Sequence, residues 1–96
     1  MADYERITVL PARDIFRLAE EILPERADLR RTRESPHTVV YTGAEGTVTI
    51  DTHRHGMATS AVVATNQLRT SKVDGVVRYL MNQFPYQPGD APRETV

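Results

Sequence analysis

The spacing of apolar positions changes along the chain, and each change marks a new element. In residues 5–10, ERITVL, Ile7 and Val9 alternate with polar neighbours, which is the period of a short strand, and Pro11 ends it. From Ala12 the apolar positions become Ile15, Leu18, Ala19 and Ile22, with Phe16 and Leu23 beside them. That stripe predicts an amphipathic helix. Pro24 lacks an amide hydrogen and restricts the residue before it, so the helix is expected to end at Leu23. Residues 25–36, ERADLRRTRESP, hold one large apolar side chain, Leu29, among charges, and read as a connector.

Two hairpins follow. Residues 37–42 are rich in β-branched side chains and run into Gly43-Ala44-Glu45-Gly46, a turn with a glycine at each end. Pairing Thr42 with Thr47 sets Tyr41 opposite Val48, Val39 opposite Ile50 and His37 opposite Thr52. Residues 46–66 form the second hairpin, with its reversal placed at His55-Gly56. That reversal sets Arg54 opposite Met57, Thr52 opposite Thr59, Ile50 opposite Ala61 and Val48 opposite Val63. Because side chains alternate between faces, Val39, Tyr41, Val48, Ile50, Ala61 and Val63 share one apolar face. Thr38, Val40, Thr42, Thr47, Thr49, Ala58, Ser60, Val62 and Ala64 share the other.

Ser71 is a good helix cap, and Asp74 three residues on resembles the second half of a capping box. Val73, Val76, Val77, Leu80, Met81 and Phe84 then recur at helical spacing, the clearest periodic signal in the chain. Residues 85–96 have the proline, glycine and polar content of a disordered tail. The expectation is a single α+β domain over residues 1–84: an antiparallel sheet of three to four strands, in the order β-α-β-β-β-α, with two helices packed on one face. Whether the first strand joins that sheet is left open. By element order alone the chain resembles small helix-grip arrangements, which implies space for an apolar ligand between helix and sheet. Without its first strand it also resembles the α-β-β-β-α double-stranded-RNA-binding domain, whose basic opening of the last helix corresponds here to Lys72, followed by Val73 and Asp74.

Composition narrows the functional classes. At 96 residues the chain suits one modest core. With 12 lysines and arginines against 13 aspartates and glutamates, the net charge of −1 supplies no general attraction to nucleic acid or to an anionic membrane. There is no cysteine, so disulfides and thiolate chemistry are excluded. The start of the sequence has no basic segment followed by an apolar run, and no stretch approaches the roughly 20 apolar residues that cross a bilayer. The expected setting is cytoplasmic, with no membrane partner.

Candidate chemistry is sparse. Asp51, His53 and His55, spaced by two along a strand, could project from one face and hold a first-row metal; His37 falls on the opposite face. Ser35, Ser60 and Ser71 each have a local explanation as turn, strand or cap residue, and no glycine-rich phosphate loop is present, so no catalytic constellation and no cofactor are expected. Arg26, Arg30, Arg31 and Arg33 are the basic concentration, and the segment 26–33 is a reserve site for nucleic acid. The open sheet face is nearly free of lysine and glutamate, whereas solvent-facing strands usually carry charge and interface cores do not. Thr49, Asp51, Ser60 and Val62 on that face are the candidate contact residues of a non-catalytic module that binds another protein or its own copy, as a homodimer. The alternatives are nucleic-acid binding through the arginine segment and apolar-ligand binding between helix and sheet.

Overall fold

Among the described residues seven elements follow one another in the order β-α-β-β-β-β-α: β1 (Ala2–Thr8), α1 (Ala12–Ala27), β2 (Arg30–Glu34), β3 (Thr38–Gly43), β4 (Gly46–His55), β5 (Ala58–Thr65) and α2 (Lys72–Met81). The structure is a computed structural model that describes residues 2–68 and 70–85, the side chains of Ala2 and His55 excepted. The tail expected at 85–96 lies, apart from Pro85, outside the described residues. All five strands belong to one antiparallel sheet in the order β1-β5-β4-β3-β2. The α+β class is as expected, but the sheet has five strands where three to four were predicted. β1 joins it, pairing with β5, and β4 is the middle strand.

The extra strand is β2, which the sequence presents as a charged connector. It sits at the edge of the sheet, where only one side needs a partner and charge on the strand discourages further pairing. A bulge between Arg31 and Arg33 breaks its alternation. With it, four strands lie between the helices, so the α-β-β-β-α order of the RNA-binding domain does not describe the fold.

Helix α1 runs through Pro24 to Ala27, one turn beyond its predicted end. Proline removes one intrahelical hydrogen bond, and burial of Ala27 and Leu29 in the core offsets that loss. The turn is closed by Asp28 in the left-handed conformation, φ 55°, whose amide donates to the Leu23 carbonyl. The corner then packs on the β3–β4 turn so closely that a Cβ on Gly43 would lie 2.6 Å from the Asp28 carbonyl oxygen. Only glycine fits there.

The β3–β4 ladder pairs Tyr41 with Val48 and Val39 with Ile50, as predicted. The β4–β5 ladder is displaced by two residues from the predicted register: Arg54 faces Thr59, Ile50 faces Val63 and Val48 faces Thr65. The reversal falls at Gly56-Met57, with Gly56 at φ +63° and His55 opposite Ala58. A two-residue slip leaves every side chain on its predicted face, so alternation cannot detect it.

Both helices cover the face carrying Val39, Tyr41, Val48, Ile50, Ala61 and Val63, which are all buried together with Ile15, Ala19 and Leu23 of α1 and Val73, Val77 and Leu80 of α2. The Ser71 hydroxyl accepts from the Asp74 amide at 3.1 Å, so the predicted cap forms. The reciprocal half of a capping box does not: the Ser71 amide donates to the Leu68 carbonyl. Asp74 instead turns into the domain, fully buried, where it accepts from Tyr4 of β1 and from Arg78. Beyond α2, Phe84 is buried, and Arg6 of β1 donates to the Met81 and Phe84 carbonyls at 3.0 and 3.3 Å. Among the described residues no helix is long and apolar enough to cross a membrane.

Candidate interaction surface

The sheet face turned away from the helices is built in transverse rows, because antiparallel pairing places partner side chains side by side. One row reads Ile7, Ser60, His53 from β1 to β4. The next reads Glu5, Val62, Asp51, Thr38. The third spans the whole sheet as Asp3, Ala64, Thr49, Val40, Arg33. Beyond it Thr47, Thr42 and Arg30 complete the β2 side. The four predicted contact residues, Thr49, Asp51, Ser60 and Val62, therefore stand together on adjacent rows of β4 and β5.

Polar side chains on this face are held by their neighbours. The Ser60 hydroxyl donates to Glu5 Oε2 at 2.6 Å, and the Thr38 hydroxyl donates to Asp51 Oδ1 at 2.5 Å. Thr32 and Thr42 share a hydroxyl hydrogen bond of 3.1 Å. Ser60 and Ala58 are buried by this packing, while Val62, Ala64, Val40 and Thr49 are half-exposed. Side chains fixed in this way lose little further entropy when a partner covers them.

Charge on the face is confined mostly to its borders, with opposite signs. Asp3 and Glu5 lie along β1, and Arg30 and Arg33 along β2, all four exposed. Asp51 is the acidic group nearer the centre. Sequence reasoning misses these borders, because the alternation places the first strand at 5–10, starting three residues late, and makes β2 a connector. Arg33 reaches the open face only through the bulge after Arg31, which no local pattern in the sequence marks.

The three reserve arginines are divided between the two faces. Arg31 lies opposite Tyr41 on the helix side, where its guanidinium donates to the Tyr41 hydroxyl at 2.7 and 3.0 Å, to the Phe16 carbonyl at 3.0 Å and to Glu34 at 3.2 Å. The Tyr41 hydroxyl in turn donates to Glu20 Oε1 at 2.8 Å. Burial, helped by the hydrogen bond to Glu20 and resisted by Arg31, pushes the Tyr41 hydroxyl up to about 12. Burial works against the Arg31 charge, but the hydrogen bonds to Tyr41 and Glu34 and the nearby acidic charge outweigh it and raise its pKa. Arg26 is also engaged, stacked 4.1 Å over the Tyr79 ring between the two helices. The segment 26–33 therefore presents Arg30 and Arg33, not a four-arginine patch.

Asp51 and His53 do share the open face, His53 exposed and Asp51 half-buried against Thr38. The side chain of His55 lies outside the described residues. Among the described residues no three His, Cys, Asp or Glu side chains converge as metal ligands. His37, predicted on the helix side, is exposed just before β3, and its carbonyl accepts from the Thr52 amide at 2.9 Å. No protein-family model, no curated protein and no solved structure matches the chain.

Proposed function

We propose that the protein is a non-catalytic binding module that associates with a second copy of itself through the open face of its sheet. The observation that carries this reading is the row Asp3, Ala64, Thr49, Val40, Arg33: small and uncharged across the middle, acidic at one end and basic at the other. Such a surface complements itself. Five strands about 4.8 Å apart and roughly 20–25 Å long outline some 500 Å², before the relief of the side chains is counted. That is on the scale of the roughly 800 Å² of accessible surface that each partner contributes to a specific contact.

Two other readings have less support. A phosphate ligand at Arg30 and Arg33 would share its face with Asp3, Glu5 and Asp51. An apolar ligand between helix and sheet would compete with Tyr41, Phe84, Leu23 and Ile15, which fill that layer.

The test is solution mass by light scattering across a concentration series, for the parent and for Val62→Glu. The parent is expected to reach dimer mass. The variant should stay monomeric with unchanged far-UV circular dichroism, because an uncompensated carboxylate would be desolvated in the contact. A parent that remains monomeric removes the reading. A dimer indifferent to Val62→Glu moves the contact elsewhere, with the free edge of β1 the next surface to test.

A further inference from the structure

We infer that the two copies stack with their two-fold axis along β4, so that β1 of each copy lies over β2 of the other. This arrangement rests on the self-association reading above. A face-to-face homodimer is isologous, and its axis must lie in the plane between the sheets. Two choices follow the lattice of the sheet. An axis across the strands sets β1 over β1 and β2 over β2, which brings Asp3 and Glu5 toward their own copies and Arg30 and Arg33 toward theirs. An axis along the strands exchanges the edges instead.

The exchange needs the axis at the middle strand, and β4 is the middle strand. The full-width row then stacks on itself reversed: Asp3 over Arg33, Ala64 over Val40, and Thr49 over its own copy. Small residues meet branched ones, and both ends join opposite charges. Aligned sheets pack about 10 Å apart and about 30° askew, which displaces the edges by roughly 5 Å along the strands. Asp3 and Glu5 are two residues apart on one face, so that displacement leaves at least one carboxylate opposite the arginines. The arginine side chains are long enough to reach across.

The experiment uses two charge-reversed variants, Arg30→Glu/Arg33→Glu and Asp3→Lys/Glu5→Lys, by light scattering alone and mixed one to one, with circular dichroism to establish that each is folded. Exchanged edges put like charges opposite each other in either variant alone, so each should associate at least about tenfold more weakly than the parent. Mixing restores both oppositely charged edges, and the mixture should recover dimers near the parent's affinity. Under the other axis the parent already stacks like on like, and neither variant would associate more weakly than it does. Variants that dimerise as tightly as the parent, or a mixture of folded chains that stays monomeric, overturn the exchanged arrangement while a Val62-dependent parent dimer leaves the self-association reading standing. A parent that never dimerises overturns both.

Discussion

The Tyr4 hydroxyl donates to Asp74 at 2.8 and 3.0 Å, joining two residues separated by 70 positions. It fastens the first strand to the last helix. Asp74 is fully buried, and its remaining partner is Arg78, whose Nε lies 3.1 Å from Oδ2. Each hydrogen bond to a charged group is worth about 1.5–3 kcal/mol, and stranding a buried partner costs more than the bond itself contributes. Asp74→Ala is therefore expected to lower the unfolding free energy by about 2–3 kcal/mol, and Tyr4→Phe by about 1–2 kcal/mol. Urea denaturation of both variants and of the double variant should give a coupling of about 1 kcal/mol or more. Additive losses would mean that Tyr4 and Asp74 act independently.

The phenol of Tyr41 makes stability depend on pH in the alkaline range. In the folded protein its pKa is about 12, whereas an exposed tyrosine ionises near 10. Between those values the unfolded chain binds fewer protons than the folded one, so stability falls as pH rises. The contribution is intact below about pH 10 and is lost progressively toward pH 12, by on the order of 1–2 kcal/mol. Urea midpoints at pH 8 and pH 11 should show this decline in the parent. Tyr41→Phe should start less stable by about 1 kcal/mol and decline less. Parallel declines would place the titrating group elsewhere.

What could be read from the sequence was governed by periodicity. The two-residue period correctly assigned Val39, Tyr41, Val48, Ile50, Ala61 and Val63 to the covered face, and the helical period found α2. Where periodicity carries no information, the reading failed. A slip of two residues in the β4–β5 ladder is invisible to it, because faces repeat every two positions. Pro24 marked a break that the structure does not make, since the pull of Ala27 and Leu29 into the core acts through tertiary packing that no local rule includes. Edge strand β2 hid because its apolar signal is absent: it is held by a ladder to β3 and by Arg31 reaching Tyr41 and the Phe16 carbonyl. The centre of the candidate surface, Thr49, Asp51, Ser60 and Val62, was accessible from the hairpin alone. Its charged borders were not, because they come from the two strands whose place in the sheet depends on long-range pairing.

The inferred arrangement leaves one unfavourable approach, and that makes it testable from the centre as well as from the borders. Asp51 lies on β4 beside the axis, so its carboxylate faces that of the second copy. Like charges brought together and desolvated weaken association. The Thr38 hydroxyl, donating to Oδ1 at 2.5 Å, disperses part of that charge but does not remove it. Asp51→Asn keeps an oxygen for Thr38 and eliminates the repulsion. The dimer should tighten by about tenfold or somewhat less, the equivalent of about 1 kcal/mol. The same substitution should also change the response to salt. In the parent, added salt screens the favourable borders and the unfavourable centre together. In the variant only the favourable borders remain to be screened, so dimerisation should weaken more steeply with salt. Sedimentation or light scattering at low and high salt reads both quantities. A variant that associates more weakly than the parent would mean that Asp51 makes a favourable contact across the interface, and the axis would then have to leave β4.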